Sequence, residues 1–274
     1  MGLRIFTNVE ALNAHNNLVL TNSKVAQSLK RLSSGFRIES AKDDAAGFAI
    51  ANSFKAKISS MRVASQNATE AQSMLQTADG AYSKIHDILI RMKNLSTQAS
   101  SGQTENLGTL NNEFKALQDE IDAIANSTKY GGTTLVTGSA VNITFQVGAS
   151  NTADDRIAVD FLGATTGCLA VSSGSINVNT ASGAQIAMSA IDTALSSVNY
   201  SMGELGSYRN RMQYTIENLA VSMENFSASE SSIRDVDMAY EVMQFTKNQI
   251  LQQSGMAMMS QANSAPQQIL SLLK

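Results

Sequence analysis

The sequence has few of the residues that build disulfides, aromatic cores and sharp helix breaks. Tryptophan is absent, aromatic residues make up 5%, and Cys168 and Pro266 are the single cysteine and proline among 274 residues. One cysteine excludes an intramolecular disulfide and gives no spacing for a zinc site. Because helix interiors exclude proline, almost the whole chain is free to be helical or extended. Alanine, leucine, isoleucine and methionine supply the apolar content instead, which suits long helices.

Charge and hydropathy exclude further classes of protein. The net charge is −3 and no run rich in lysine or arginine occurs, so nothing indicates nucleic-acid binding. The sequence contains no run of about 18 apolar residues, so it predicts no membrane-spanning helix. The N-terminus shows no secretory signal, which by itself predicts a cytoplasmic protein. The first 42 residues carry four more basic than acidic side chains. We interpret them as a solvated helix face, with contact to an acidic partner segment as the alternative.

Patterns typical of catalytic, cofactor-binding or metal-binding sites do not emerge. The two histidines, His15 and His86, lie in predicted helices and form no His-Glu-x-x-His motif. Cys168 has no histidine nearby in the sequence, which disfavours a nucleophile. Asp43 and Asp44 are better interpreted as a helix start than as an acid–base pair, because adjacent helical residues do not face one another. The sequence therefore predicts neither an enzyme nor a cofactor or metal site.

Helical periodicity dominates the first half of the chain. Residues 1 to about 42 form a sparse apolar stripe, and such a helix should be disordered alone until a partner covers it. Ser33-Ser34-Gly35 marks its end. From Asp44 to about Ala99, apolar residues repeat every seventh position in two series, which predicts a helical rod on the order of 80 Å long. The series are Met61, Ala68, Leu75, Tyr82, Leu89 and Ala64, Ala71, Ala78, Ile85, Met92, Ala99. A third apolar pattern predicts a helix from about residue 107 to 124.

The middle of the chain, from about residue 128 to 183, has a different pattern. Apolar and polar residues alternate over 141–147 and again over 157–161, and turn-forming residues lie between them. This predicts a β-hairpin. Residues 162–183, rich in glycine, serine and threonine and containing Cys168, are predicted to form an exposed loop.

Helical periodicity returns near Ala184 and continues with an uninterrupted seven-residue repeat, which predicts a coiled-coil seam for assembly with the helix at 44–99. The seam comprises Ile191, Val198, Leu205, Met212, Leu219, Phe226, Ile233 and Tyr240. The last segment, 241–274, ends in an apolar face with Ile269, Leu270, Leu272 and Leu273. The predicted fold is mainly α: a long antiparallel helical bundle or coiled coil formed by the N- and C-terminal halves, with a small β-hairpin insert. A rod whose two ends cannot bury their apolar stripes should self-associate, and a non-closing contact would give a helical polymer.

Several motifs resemble the two signatures of bacterial flagellins. Near the N-terminus, Arg31-Leu32-Ser33-Ser34-Gly35 is followed by Arg37-Ile38 and then by Asp43-Asp44-Ala45-Ala46-Gly47. In the C-terminal part, Asn210-Arg211, Thr215-Ile216-Glu217-Asn218-Leu219, Glu224-Asn225 and Thr246-Lys247-Asn248-Gln249-Ile250-Leu251-Gln252-Gln253 occur in the matching order, with Gln261-Ala262-Asn263 and Pro266-Gln267 beyond them. The resemblance covers about 1–130 and 185–274.

The resemblance implies a subunit of the flagellar filament. It implies an inner coiled-coil domain at 1–42 and 235–274 that forms the filament core, and an outer helical rod at 43–234. The segment between the helices is too short for the large surface domains of bigger family members. Export of the unfolded chain through the flagellar type III apparatus would replace the cytoplasmic location with a secreted, extracellular filament. The implied partners are further copies of the chain, an export chaperone, and the cap and junction proteins.

Some members of the family are ligands of the animal innate receptor Toll-like receptor 5, and the resemblance extends to that motif. Arg91, Leu95 and Glu113 match it, whereas Asn94 and Met92 depart from the commonest pattern. Arg91 lies one residue from an apolar series, so its side chain should be exposed; a plain solvated arginine is the alternative. Leu95 lies outside both apolar series, which is compatible with an exposed contact.

Three other interpretations remain. A hook–filament junction protein shares the helical ends, although it keeps the motifs only loosely. A soluble coiled-coil adaptor or export chaperone would not need apolar terminal segments. An enzyme is the least supported class, because no catalytic constellation is present.

Overall fold

The computed structural model of the chain describes residues 8–101, 106–138 and 141–272, without the side chains of 265–272. In these residues, five helices and two small antiparallel hairpins make up the architecture. The helices are α1 (Val9–Ser34), α2 (Ala45–Ser100), α3 (Leu107–Ser127), α4 (Ala181–Arg234) and α5 (Met238–Leu272); the strands are β1 (Lys129–Tyr130), β2 (Thr133–Thr134), β3 (Val141–Gln146) and β4 (Arg156–Phe161). The predicted mainly helical fold with a small β insert is confirmed.

The chain divides into two compact units. The terminal unit comprises Met1–Ala56 and Asn225–Lys274, and the middle unit comprises Lys57–Glu224. The predicted inner domain, 1–42 and 235–274, includes fewer residues than this terminal unit. That it forms the core of an assembled filament stays a prediction.

Capping residues account for both ends of α1 and for the start of α2. The Asn8 side chain accepts a hydrogen bond from the Ala11 N–H at 3.0 Å and so caps α1. Gly35 ends α1 in the left-handed region at φ 75°, and its N–H donates to the Arg31 carbonyl at 2.8 Å. Asp44 Oδ1 accepts from the N–H groups of Ala46 and Gly47 at 3.1 and 3.0 Å, which confirms it as a helix start.

The core of the middle unit lies along α2 and α4. Both predicted series on α2 are buried from Ala64 to Ala99, except that Met61 is only half-buried. Ala71 and Ala78 of the second series have no exposed surface. Polar pairs between α2 and α4 fix an antiparallel register: Gln72 with Gln213, Asp79 with Arg209, Lys93 with Asp192 and Thr97 with Met188. The antiparallel pairing of the two long helices follows from these contacts.

The predicted hairpin is present as β3 and β4, which pair antiparallel from Val141–Phe161 to Gln146–Arg156. Ile157, Val159 and Phe161 are buried while the residues between them are exposed, as the alternation predicts. Periodicity could not predict the shorter hairpin of β1 and β2, because strands of two residues are too short to show an alternation. Its turn is made by Gly131 and Gly132, both at positive φ.

The prediction that residues 162–183 form an exposed loop is wrong for most of their apolar side chains. Leu169, Val171, Ile176 and Val178 are buried in the core of the middle unit. One face of α3 holds this segment: Asp122 accepts from Thr166 N and Oγ1 at 2.8 Å, Gln118 donates to the Val171 carbonyl at 2.6 Å, and Asn111 accepts from Val178 N at 3.2 Å. Cys168 itself is exposed, with Sγ 3.2 Å from the Gly138 carbonyl.

Candidate assembly interface

The terminal unit has far fewer fully buried apolar side chains than the middle unit. Among its described side chains, Ile38 and Ala51 are the apolar ones that are fully buried, whereas the other buried apolar side chains belong to the middle unit. Phe54 and Phe226 add a tilted ring contact with centroids 5.4 Å apart. Since burial of apolar surface is the main force that stabilises a fold, this unit has little stabilisation of its own.

Polar contacts set the register of α1 against α5. From one end of the pair to the other, Asn8 Nδ2 donates to the Ala262 carbonyl at 2.8 Å, and Gln252 Nε2 donates to Asn22 Oδ1 at 2.7 Å. Arg31 then lies against Glu241. Numbers fall along α1 as they rise along α5, so the helices are antiparallel. Between these contacts, a side chain at Gly255 would lie 3.4 Å from Leu18 Cδ1, which shows how closely the backbones approach.

Large apolar side chains of α1 and α5 face solvent instead of each other. On α1 they are Val9, Leu12, Val19, Leu20 and Leu29; on α5 they are Met238, Tyr240, Val242, Met243, Ile250, Leu251, Met256 and Met258. Each is roughly half exposed or more. Isolated exposed apolar residues are ordinary on protein surfaces, but thirteen large ones on two paired helices indicate an interaction surface. We call these thirteen side chains the apolar faces of α1 and α5.

A short antiparallel bridge ties the two ends of the chain together beside this surface. Phe36 pairs with Asp235, the Arg37 N–H donates to the Arg234 carbonyl at 2.7 Å, and the Val236 N–H donates to the Gly35 carbonyl at 2.9 Å. The guanidinium of Arg234 lies 4.4 Å from the centroid of the Phe36 ring, a cation–π distance. The bridge interrupts both helical paths and so separates α4 from α5.

Charged groups reinforce this region. Arg31 Nη1 lies 3.7 Å from Glu241 Oε2, and Glu241 is almost completely buried. Lys30 forms an ion pair with Glu39 at 2.8 Å, and this hydrogen bond raises the pKa of Lys30. Of the basic side chains in residues 1–42, Arg31 thus contacts an acidic residue of another segment, whereas the Lys30–Glu39 pair lies within the N-terminal segment itself. Glu241 lies 210 residues from Arg31, so no local pattern could have revealed this pair.

Two signature residues of the connection between α1 and α2 have clear structural reasons. The pKa of Asp43 is lowered, because its carboxylate accepts hydrogen bonds from the backbone and side chain of Ser40 and from the Glu39 N–H. At Gly47 an added Cβ would lie 2.9 Å from Ile38 Cδ1 and closer still to the Asp44 carboxylate. A larger residue there would displace the helix cap or the buried Ile38.

The first five positions of the predicted assembly seam are buried within the chain itself, and the role of the seam in assembly stays a prediction. Ile191, Val198, Leu205, Met212 and Leu219 are buried in the middle unit, and Phe226 and Ile233 are half-buried in the terminal unit. The prediction of an uninterrupted repeat is wrong at its end. Helix α4 stops at Arg234 because residue 235 joins the antiparallel bridge, and Tyr240 lies exposed on α5 while its neighbour Glu241 is buried.

The predicted apolar end of the filament core lies mostly outside the described residues. Helix α5 continues to Leu272, but the side chains of Ile269, Leu270 and Leu272 and the whole of Leu273 lie outside the described residues.

The structure brings together two of the three predicted receptor-binding residues. Arg91 Nε and Nη2 donate to Glu113 Oε1 at 2.8 and 2.6 Å, and both side chains are substantially exposed. The expected exposure of Leu95 is wrong, because its side chain is 1% exposed and lies in the core of the middle unit. Helix α2 is covered on more than the two faces that its heptad series define. A side chain buried this deeply cannot contact a partner.

Within 8–101, 106–138 and 141–272, no helix carries an apolar stretch of membrane-spanning length. The same residues contain no group of three or more histidine, cysteine, aspartate or glutamate side chains arranged to hold a metal ion. What the described geometry offers is surface for protein association.

Comparison with known families accounts for both ends of the chain. The family model of the bacterial flagellin N-terminal helical region matches residues 5–141, and that of the bacterial flagellin C-terminal helical region matches residues 188–273. Together they span α1 to α3 and nearly all of α4 and α5.

Full-length relatives and solved structures agree with these matches. A flagellin of Bacillus subtilis (strain 168) is 38% identical, with 99% of this chain and 100% of the relative covered. Flagellin FlaB1 of Treponema pallidum (strain Nichols) is 35% identical, with 97% and 98% covered. The crystal structure of Bacillus cereus flagellin, 29% identical, covers 56% of this chain and 88% of that one at a TM-score of 0.50. A putative flagellar hook-associated protein from Vibrio parahaemolyticus, 13% identical, covers 70% and 100% at a TM-score of 0.59 and shows likeness of fold alone. With family models matching both helical regions and relatives aligned over their full length, this chain belongs to the bacterial flagellin family.

Proposed function

We propose that this chain polymerises into the flagellar filament by burying the apolar faces of α1 and α5 against further copies of itself. As a member of the flagellin family it is a structural subunit of that filament. The observation that carries the proposal is the contrast between the two units: the middle unit has a continuous core, whereas the terminal unit leaves its large apolar side chains half exposed.

The exposed surface is large enough to drive association. Fully burying a large aliphatic side chain is worth about 1.5–3 kcal/mol, so covering the exposed half of each contributes roughly 1 kcal/mol. Thirteen such side chains supply on the order of 10 kcal/mol, which is comparable with the cost of immobilising a subunit. Because α1 and α5 present different apolar faces, contacts between copies need not be self-complementary. Such heterologous contacts extend as a helical filament instead of closing into a dimer.

In the proposed filament, residues 1–42 and 235–274 form the inner core and residues 43–234 form the outer rod. The antiparallel register of α1 and α5 supports this division, because the two terminal segments already lie side by side in one subunit. The outer rod has a hairpin and a packed connection between its helices where larger family members carry surface domains.

Export of the unfolded chain through the flagellar type III apparatus, and an extracellular location, complete the proposal. A chain with one proline and one cysteine has few isomerisation or disulfide steps to complete after passage. Before assembly, the apolar faces need a cover, which is the role proposed for an export chaperone. At the two ends of the filament, the cap and junction proteins would meet the same faces. This role requires no catalysis, cofactor or metal.

Recognition by Toll-like receptor 5 is a further part of the proposed biology. The exposed ion pair of Arg91 and Glu113 offers a planar cation beside a carboxylate on the middle unit. Leu95 lies in the core of the middle unit and would act by holding α2 in place.

Removal of residues 255–274 tests the assembly proposal. The middle unit should remain folded, because its core does not include those residues, and polymerisation should be abolished. Electron microscopy after addition of filament seeds or a precipitating salt compares the truncated and intact chains. Long tubes from the intact chain alone are expected. Normal filaments from the truncated chain would refute the proposal, and small particles from both would favour the junction protein or a soluble adaptor.

A further inference from the structure

The exposed methionines of this chain are concentrated on one helix. Among the described residues, Met238, Met243, Met256 and Met258 are the methionines classed as exposed, and all four belong to α5. The other methionines that the structure describes, including Met259 of α5, are half-buried or buried, and Met92 and Met212 have no exposed surface. The thioethers open to a solvent-borne reagent therefore coincide with the apolar face of α5.

Helix geometry places the four methionines on two sides of α5. Met238 and Met256 are 18 residues apart, which is five turns, so they share one side. Met243 and Met258 lie on another side with Ile250 and Leu251, and Met243, Ile250 and Leu251 line one shallow hollow. The side of α5 that faces α1 carries Glu241, Gln252 and Gly255 instead. Neither methionine-bearing side is covered within a single subunit.

We propose that these four methionines are an oxidation site through which a peroxide blocks incorporation of the subunit into the filament. In the reaction, the thioether sulfur attacks one oxygen of hydrogen peroxide, an S–O bond forms, and the O–O bond breaks. The sulfur loses two electrons, the peroxide is reduced, and water is released. The product is a methionine sulfoxide, which is polar where the thioether was apolar. This inference rests on the proposed role of the α5 face in assembly.

Burial explains why the effect should depend on the assembly state. A sulfoxide that is buried without a hydrogen-bond partner is disfavoured, so its presence should raise the concentration needed for polymerisation by tenfold or more. Once the subunit is in a filament, its neighbours would exclude peroxide from the same sulfur atoms. The modification would thus act on free subunits and spare the assembled ones.

Peptide mapping by mass spectrometry after hydrogen peroxide treatment tests the site itself. The full chain carrying Cys168→Ser is used, because the exposed thiol would otherwise react as well. Sulfoxide should form at least tenfold faster on the four exposed methionines of α5 than on Met92 and Met212. Equal rates on the buried and exposed methionines would overturn the proposal, as would equal rates on the α5 methionines of free subunits and of preformed filaments.

Seeded polymerisation of the same samples tests the consequence. The oxidised chain should need at least tenfold more protein to polymerise, and treatment with the two methionine sulfoxide reductases should restore the original value. A variant with leucine at positions 238, 243, 256 and 258 should polymerise equally before and after peroxide. Normal polymerisation of the fully oxidised chain would overturn the inference alone. If the untreated chain failed to polymerise, the assembly proposal would fail, and the proposed inhibition of assembly by methionine oxidation would fail with it.

Discussion

Ile250 and Leu251 offer a direct test of the apolar face of α5. They are 58% and 49% exposed, so roughly half of each side chain remains to be covered. Changing both to glutamine keeps good helix formers at these positions while adding a polar amide to each. Loss of the remaining burial costs about 1 kcal/mol per side chain, and each unpaired amide adds a desolvation cost of roughly 1 kcal/mol or more. The total per subunit is on the order of 4 kcal/mol, which corresponds to roughly a thousandfold rise in the critical concentration for polymerisation.

The assay is sedimentation of seeded protein over a range of concentrations. The free subunit concentration at the plateau gives the critical concentration for the wild type and for the Ile250→Gln, Leu251→Gln double variant. Thermal unfolding followed by circular dichroism should leave the transition of the middle unit unchanged, since exposed substitutions outside its core alter stability by about 0.5 kcal/mol or less.

Ile186→Gln is the matched control. Ile186 is 61% exposed on α4 in the middle unit, so it has nearly the same chemistry and exposure as Ile250 but lies outside both apolar faces. The critical concentration of the Ile186→Gln variant should stay within about twofold of the wild-type value. A double variant that polymerises like the wild type would refute the reasoning, and so would a control that is impaired to the same extent.

Three further predictions concern the middle unit. Arg91→Ala should reduce stimulation of cells that carry Toll-like receptor 5 while leaving polymerisation unchanged; full stimulation would count against the receptor proposal. Ala170→Gly should raise the free energy of unfolding in urea by about 0.5–1 kcal/mol, because Ala170 holds φ at 55° and glycine relieves that strain; a decrease would contradict this. Burial raises the pKa of Tyr82 above its usual value, so its stabilising contribution is complete below about pH 10 and is lost as the pH rises above it. Stability curves of the wild type and Tyr82→Phe should therefore converge by about 1 kcal/mol between pH 8 and pH 11, and parallel curves would exclude this cause.

Local periodicity was sufficient to predict the long helices and the larger hairpin. The heptad series on α2 have one apolar side chain in every seven positions, and burial of one continuous seam enforces that spacing. The alternation in β4 is equally local, because one face of the hairpin lies on the core and the other faces solvent. The helix ends at Gly35 and Asp44 could be predicted because capping depends on one or two residues.

The features that were missed depend on residues far apart in the sequence. The segment containing Val171 and Val178 has the composition of an exposed loop. Yet α3 supplies side chains, 53 and 67 residues away, that form hydrogen bonds with its backbone. Leu95 is buried because a helix in a three-dimensional core can be covered on more faces than its heptad pattern reveals. The repeat fails at Tyr240 because Asp235 pairs with Phe36, a contact that no spacing rule contains.

The antiparallel register of α1 and α5 also determines the order in which the subunit can fold. Its hydrogen bond from Asn8 to Ala262 joins residues 254 positions apart. Forming a contact between residues so far apart in the sequence has a high entropic cost of loop closure, unless the intervening chain is already compact. The middle unit must therefore fold first and bring the two termini together. For a chain that emerges from its N-terminus, α1 comes out first and waits longest for its partner, so the subunit cannot complete its terminal unit until almost the whole chain has arrived.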